Sequence, residues 1–134
     1  MKDIRIAAVT FNSAVNRIRD NLEKMASWVK RAKNHEAQLI CFPEMNVTGY
    51  STDPIIKEYA ESIPGKISRQ IEQMAGDTRM AILAGMAEKD ENGHIYASHL
   101  VATPRGIAGV YRKLHIAPPE ETVFSYGSRV PLVN

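Results

Sequence analysis

Glu44 follows the end of an apolar segment, where a carboxylate could do acid–base chemistry. It comes directly after the apolar residues 39–42 and Pro43, which ends the segment because proline fixes its own φ and lacks a backbone donor. A layered α/β sheet forms its ligand cleft at the C-terminal ends of its strands. A carboxylate placed there could take up and return a proton during a reaction. By position alone, a turn cap or a pair with a surface lysine is an equally open interpretation of Glu44.

Lys113 is the second candidate, because it follows another predicted strand, residues 107–111. A lysine ammonium group can stabilise a developing oxyanion or pair with a carboxylate. Its neighbours Arg112 and His115 are also basic, so the alternative interpretation is a solvated run of charges. These residues alone leave both interpretations open.

Other residues of chemically useful type carry weaker signals. Glu120 and Glu121 follow two prolines, and adjacent acids in such a loop are usually exposed. Cys41, the one thiol, lies within the apolar segment, which is typical of a cysteine packed in a core rather than of a nucleophile. The four histidines have no paired metal-ligand spacing: His35, His94, His99 and His115. No glycine-rich phosphate loop is present, since residues 106–109 lack the third glycine. We therefore expect neither a metal nor a cofactor.

The elements that must position these residues begin with a strand, a helix and a strand. Residues 4–10 are short, β-branched and apolar, which predicts a strand covered on both faces or nearly so. Apolar residues then recur at steps of three and four, which predicts an amphipathic helix ending near Asn34: Val15, Ile18, Leu22, Met25, Val29 and Ala32. Residues 39–42 form the second strand. This order predicts a layered α/β fold.

The rest of the chain adds a helix and a hairpin. Pro64 and Gly65 open a second helix, which closes near Gly76, after a short helical piece over residues 55–60. Three more strands are predicted at residues 80–86, 95–102 and 107–111, the first two joined as a hairpin by the polar turn 90–93. Residues 112–127 are expected to form an irregular loop. We see no repeat and no linker, so the sequence predicts one domain over residues 1–134.

Composition narrows the class of partner. The chain has 134 residues, 24% of them charged, with a net charge of +2, which is ordinary for a globular protein and excludes disordered or collagen-like classes. The longest apolar run, residues 80–87, is far shorter than the roughly 20 residues of a membrane-spanning helix. No secretory signal is visible. We therefore expect a cytoplasmic protein whose partner is a small molecule, not nucleic acid or a membrane.

Two motifs together resemble the carbon-nitrogen hydrolase (nitrilase) superfamily. The first is F-P-E-x-x-x-T-G-Y at residues 42–50, and the second is Y-R-K-x-H at residues 111–115. Their order and separation also match that family. The resemblance covers essentially all 134 residues, which correspond to about the first half of a family member.

The resemblance implies a Glu-Lys-Cys catalytic set. It assigns Glu44 as the general base and Lys113 as the residue that stabilises the tetrahedral oxyanion. A second family glutamate matches Glu120, with Glu121 as the alternative. No residue of this chain matches the nucleophilic cysteine, and Cys41 cannot replace it because it precedes the general base on the same strand. The sequence is thus interpreted as an N-terminal portion that stops before the nucleophile and is inactive alone.

The resemblance also implies an architecture and a substrate class. Family members form an α-β-β-α sandwich, of which five strands and two helices are about half, and they associate as homodimers or larger oligomers. Residues 130–133 resemble the start of the strand that leads to the missing nucleophile. The implied substrates contain a non-peptide C–N bond, such as an amide, a nitrile or an N-carbamoyl compound, with acyl transfer also open. The alternative function is a non-catalytic binding or assembly module built on the same scaffold.

Overall fold

A five-stranded mixed sheet forms the centre of the computed structural model, which describes residues 3–132. The strands lie in chain order: β1 (Ile6–Ala8), β2 (Leu39–Cys41), β3 (Ala81–Lys89), β4 (Ile95–Thr103) and β5 (Gly106–Arg112). Neighbouring strands are parallel from β1 to β3 and antiparallel from β3 to β5, so only β4 runs against the others. The predicted five strands and the β3–β4 hairpin are confirmed.

Two helices, α1 (Ile18–Asn34) and α2 (Lys66–Thr78), pack on one face of this sheet. From Leu22 onward the apolar stripe predicted for α1 is buried, and it joins α2 and the sheet in one core: Leu22, Met25, Val29, Ile40, Ile71, Ile82 and Leu100. Val15, which the prediction placed on the same stripe, lies before the helix and is exposed. Helix α2 runs past Gly76, where the sequence predicted its end. It stops at Arg79, which takes a left-handed φ of 54°. Two short 3-10 helices, Pro54–Glu58 and Pro118–Glu120, lie in the connections.

The opposite face of the sheet differs from the prediction. Residues 4–10 were expected to be covered on both faces, but β1 is only three residues long and Ile6 is 57% exposed. The reason is that both helices lie on one side of the sheet. We call the other side the open face, and it carries exposed or half-buried side chains: Ile6, Leu39, Cys41, Leu83, His99 and Val101. Cys41 is thus half-buried rather than enclosed in the core.

A second apolar cluster covers one end of the open face. It joins Met45 and Ile56 to the hairpin and to the loop after β5: Ala87, Ile95, Ala97, Ile116, Val123 and Phe124. The strand expected over residues 130–133 is not formed at residues 130–132, and residue 133 lies outside the described residues. Within residues 3–132, none of the helices has the length and apolar character required to cross a bilayer.

Candidate active site

The two residues singled out first in the sequence lie at one edge of the sheet. Glu44 follows β2, and Lys113 follows β5. Because β2 and β5 run in the same direction, their C-terminal ends lie at the same edge. The topology therefore brings together side chains that are 69 positions apart in the sequence. It is also the edge where α/β sheets place their ligands.

The loop after β2 is fixed against the middle of β3. The side-chain oxygens of Asn46 and Thr48 accept the backbone N–H groups of Gly85 at 2.8 Å and Ala87 at 3.0 Å. The Glu44 carbonyl lies directly over Gly85, where any Cβ would overlap it. The side chains of the buried asparagine and threonine thus accept β3 hydrogen bonds that a neighbouring strand would otherwise accept. The glycine, which has no Cβ, lets the loop lie against β3. Together they set the direction in which Glu44 leaves the sheet.

Helix α1 holds the same loop from its other side. Asn21, fully buried, donates to the carbonyl of Val47 at 3.0 Å and to that of Ala14 at 2.7 Å. Gly49 has a φ of +76° and lies against the backbone of Ala14 and Val15, so a side chain has neither room nor an easy conformation there. The Thr-Gly-Tyr part of the first motif therefore has a structural reason: it turns the chain and presents Tyr50 to the site.

Lys113 connects two carboxylates. Its Nζ lies 2.9 Å from Oε1 of Glu44 and 2.9 Å from Oε1 of Glu120, and the lysine side chain is 27% exposed. The contacts with Glu44 and then Glu120 hold the pKa of Lys113 above its usual range, against the opposing effect of burial. The ammonium form is therefore favoured. Of the two interpretations left open, the solvated run of charges therefore fails for Lys113, although His115 is exposed.

Glu120 is the most buried of the three side chains, at 3% exposure. The expectation that this loop acid is exposed is therefore wrong. Its carboxylate accepts hydrogen bonds from Lys113, from the backbone N–H of Ala117 at 2.8 Å and from the Tyr50 hydroxyl at 3.1 Å. Burial alone would raise the pKa of Glu120, but these donors outweigh it and hold the pKa below its usual range. Glu120 is thus held as a carboxylate.

Other candidate residues lie apart from this group. Glu121 is exposed and accepts a hydrogen bond from Tyr126 rather than from Lys113. Cys41 donates weakly to the backbone of Phe42. The ring of His99 lies within β4, where burial lowers its pKa. No group of three metal-ligating side chains is found in the part of the chain that the structure describes.

Tyr50 is a site residue that the sequence did not assign. It was part of the motif, but the motif alone gives it no partner. The structure shows its hydroxyl sharing Oε1 of Glu120 with Lys113, while about half of the tyrosine, 51%, is exposed. Burial and then the bond to Glu120 raise the pKa of Tyr50. The neutral phenol therefore donates a hydrogen bond to Glu120, while the rest of the side chain stays accessible. The signal that the sequence offered for Tyr50 was its place as an aromatic residue shortly after the candidate base Glu44.

Comparison with known proteins decides the family. A model of the family described as carbon-nitrogen hydrolase matches residues 5–132. The chain belongs to the carbon-nitrogen hydrolase family. It is 35% identical over 127 residues to a nitrilase from Pyrococcus abyssi, covering 92% of this chain and 48% of the relative. A probable nitrilase from Schizosaccharomyces pombe is 32% identical, with coverage of 95% and 49%. The chain thus spans about half the length of the curated relatives it matches.

Solved structures show the same fold. A carbon-nitrogen hydrolase superfamily protein from Xanthomonas campestris aligns with a TM-score of 0.86 at 22% identity, covering 96% of this chain and 48% of that protein. A mutant amidase from Nesterenkonia sp. AN1 in complex with butyramide aligns with a TM-score of 0.84 at 20% identity, with coverage of 96% and 50%. The mixed sheet with two helices on one face is therefore the fold of carbon-nitrogen hydrolases over about half of their length.

Proposed function

We propose that this chain carries the base and the oxyanion-stabilising lysine of an enzyme that cleaves a non-peptide C–N bond. The observation that carries the proposal is Lys113 bridging Glu44 and Glu120 at 2.9 Å on each side. Within the Glu-Lys-Cys mechanism that the resemblance implies, the nucleophile is a cysteine for which this chain holds no match.

The surroundings of the two glutamates support different roles. Glu120 is buried and receives three different donors, so it has little capacity to exchange protons and instead orients Lys113. The side chain of Glu44 is 51% exposed and pairs only with Lys113 among the described residues. A carboxylate that keeps an accessible oxygen can accept the proton of an attacking thiol. We assign Glu44 as the general base and Glu120 as a positioning residue.

The reaction then follows two steps. Glu44 takes the thiol proton, and the sulfur forms a bond to the amide carbon while the carbonyl oxygen becomes an oxyanion beside the Lys113 ammonium. The C–N bond breaks, the protonated Glu44 returns its proton to the leaving nitrogen, and ammonia departs from a thioester. Water, deprotonated by Glu44, then attacks the thioester and releases a carboxylic acid and the thiol.

Small amides are the substrates we propose first. An (R)-stereoselective amidase from Pseudomonas sp. is 33% identical over 98 residues, and the ω-amidase NIT2-B from Xenopus laevis is 32% identical over 98 residues. The Nesterenkonia amidase has been solved with butyramide. The site itself constrains the charge of the substrate, because it holds two carboxylates, Glu44 and Glu120, and one ammonium group, Lys113. We therefore expect neutral amides to bind better than substrates with a carboxylate next to the reacting carbon.

The test is ammonia release from butyramide by a fusion of residues 1–132 with the second half of the Pyrococcus abyssi nitrilase. The fusion is first shown to be folded by circular dichroism and gel filtration. We expect the fusion to release ammonia and the 134-residue chain alone to release none. A folded fusion that releases no ammonia from butyramide, acetamide or propionamide would favour the non-catalytic binding module. Enzyme-like turnover by the chain alone would contradict the need for an added cysteine.

A further inference from the structure

Glu88 is a buried carboxylate that the proposed reaction does not use. It lies near the end of β3 on the helix side of the sheet and is 4% exposed. Its oxygens accept hydrogen bonds from Arg112 Nη2 at 2.5 Å, Arg112 Nε at 3.0 Å and Ser98 Oγ at 2.5 Å. Removing a carboxylate from water is unfavourable unless it is paired and hydrogen-bonded. Replacing a buried ion pair by apolar residues of similar volume is often neutral or stabilising, so stability alone does not account for this pair.

Arg112 is held in one orientation by this pair. Two guanidinium nitrogens contact Glu88, and the guanidinium carbon stacks 4.0 Å from the centre of the Tyr96 ring. A planar guanidinium with two parallel bonds has far less freedom than a single-point ion pair. The contact with Glu88 is also the main cause that raises the pKa of Arg112. The side chain, and with it the end of β5, is therefore fixed.

The position of Arg112 connects the pair with the candidate active site. It is the last residue of β5, in register with Ser98, and Lys113 comes next. Successive side chains of a strand point to opposite faces, so fixing Arg112 on the helix side directs Lys113 to the other side, toward Glu44 and Glu120. Beyond the strand, the Lys113 backbone is held only by the Ala97 carbonyl and Gly127 among the described residues.

We propose that Glu88 and Arg112 form a positioning pair that holds the Lys113 ammonium between the two glutamates of the site. This inference rests on the proposed function, for which Lys113 must face both carboxylates. The pair touches neither glutamate, so its effect is exerted through the backbone of residues 112–113. Arg112→Lys keeps the charge but loses the two-point contact with Glu88. Glu88→Asp keeps the charge but shortens the side chain, so that its carboxylate no longer reaches the guanidinium.

The test measures the pKa of Lys113 in the 134-residue chain by NMR of 13C-labelled lysine, with the signal assigned from Lys113→Arg. The variants are Arg112→Lys and Glu88→Asp, which leave the net charge unchanged. Arg105→Lys, in the exposed turn between β4 and β5, is the matched control. Ser98→Ala, which removes only the hydroxyl that holds Glu88, supplies a milder variant if either of the first two does not fold. Circular dichroism checks the fold of each one.

We expect the raised pKa of Lys113 to fall toward the ordinary lysine value in Arg112→Lys, Glu88→Asp and, more weakly, Ser98→Ala, and to stay raised in Arg105→Lys. Folded variants that keep the raised pKa of Lys113 would show that the pair serves stability alone, and would overturn the inference. An ordinary pKa of Lys113 in the unchanged chain is a different outcome. It would contradict the bridge between the glutamates and thus the proposed function itself.

Discussion

The two glutamates that flank Lys113 differ in how many of their hydrogen-bonding positions are occupied. Among residues 3–132, Glu120 has three donor residues and is buried, whereas Glu44 pairs only with the lysine and is half exposed. A carboxylate with several donors is stabilised as an anion, and one with a free, accessible oxygen is available for proton transfer. We propose that this difference in environment, rather than residue type, makes Glu44 the base and Glu120 the positioning residue.

Replacing Tyr50 tests this environment directly. Tyr50→Phe removes one donor to Glu120, so we expect the pKa of Glu120 to rise and the free energy of unfolding to fall by about 1 kcal/mol. Side-chain carboxyl NMR and chemical denaturation measure the two effects. Tyr126→Phe is the matched control, because it removes a similar bond to the adjacent Glu121. Equal effects of both variants on Glu120 would contradict the assignment.

Acid stability provides a second test at the same residue. The pKa of Glu120 is lower in the folded chain than its ordinary value, so the unfolded chain binds the proton more readily. The contribution of the Glu120 carboxylate to the free energy of unfolding is therefore present above about pH 4.3. It is lost as the pH falls through the pKa of Glu120 in the folded chain. We expect Glu120→Gln to flatten the fall of unfolding free energy between neutral and acidic pH. If the free energy of unfolding falls with pH equally steeply in Glu120→Gln and in the exposed Glu91→Gln, the expectation is refuted.

At the scale of elements, periodicity predicted the five strands and both helices, but not how much of each strand is covered. The apolar run at residues 4–10 predicts two covered faces, while both helices pack on the same side and leave Ile6 exposed. Layer order is a property of long-range packing, which local sequence does not contain. The end of α2 was misplaced for a simpler reason: Gly76 is a plausible stop, but Arg79 adopts the left-handed conformation instead.

Gly85 tests how the loop after β2 is positioned. In Gly85→Ala the new Cβ would overlap the carbonyl of Glu44, so we expect a loss of about 3 kcal/mol or more in unfolding free energy and a displaced Glu44. Gly76→Ala is the control, since nothing lies within 4 Å of its Cβ position in α2. It should add about 0.5–1 kcal/mol, because alanine favours a helix. A tolerated Gly85→Ala would contradict this packing.

The candidate site was only partly predictable from sequence. Two motifs selected Glu44 and Lys113, and the structure brings these residues together at one edge of the sheet. The sequence could not predict that Glu120 is buried or that the Tyr50 hydroxyl bonds to it. Both features depend on how the loop at residues 117–127 folds back over the hairpin. The roles of these residues remain predictions.

For the whole molecule, the open face of the sheet is the main feature still to be explained. Apolar side chains on it, including Ile6 and Leu83, are exposed or half-buried. An uncovered apolar strand face favours association. We expect light scattering to show a dimer or larger species of the 134-residue chain. We also expect Ile6→Lys to weaken association and Ile55→Lys, at the 3-10 helix Pro54–Glu58, to leave it unchanged. A monodisperse monomer would contradict this expectation.

The central claim is that Glu44 and Lys113 perform C–N hydrolase chemistry, and ammonia release from the fusion protein tests it most directly. We measure kcat for butyramide in Glu44→Gln and Lys113→Met, with the exposed Glu91→Gln as the control. We expect each site variant to lower kcat by about a thousandfold or more, since an oxyanion donor alone contributes 10²–10³ in rate, and the control to leave it unchanged. Turnover in Glu44→Gln or Lys113→Met equal to that of the control would show that the chemistry lies elsewhere.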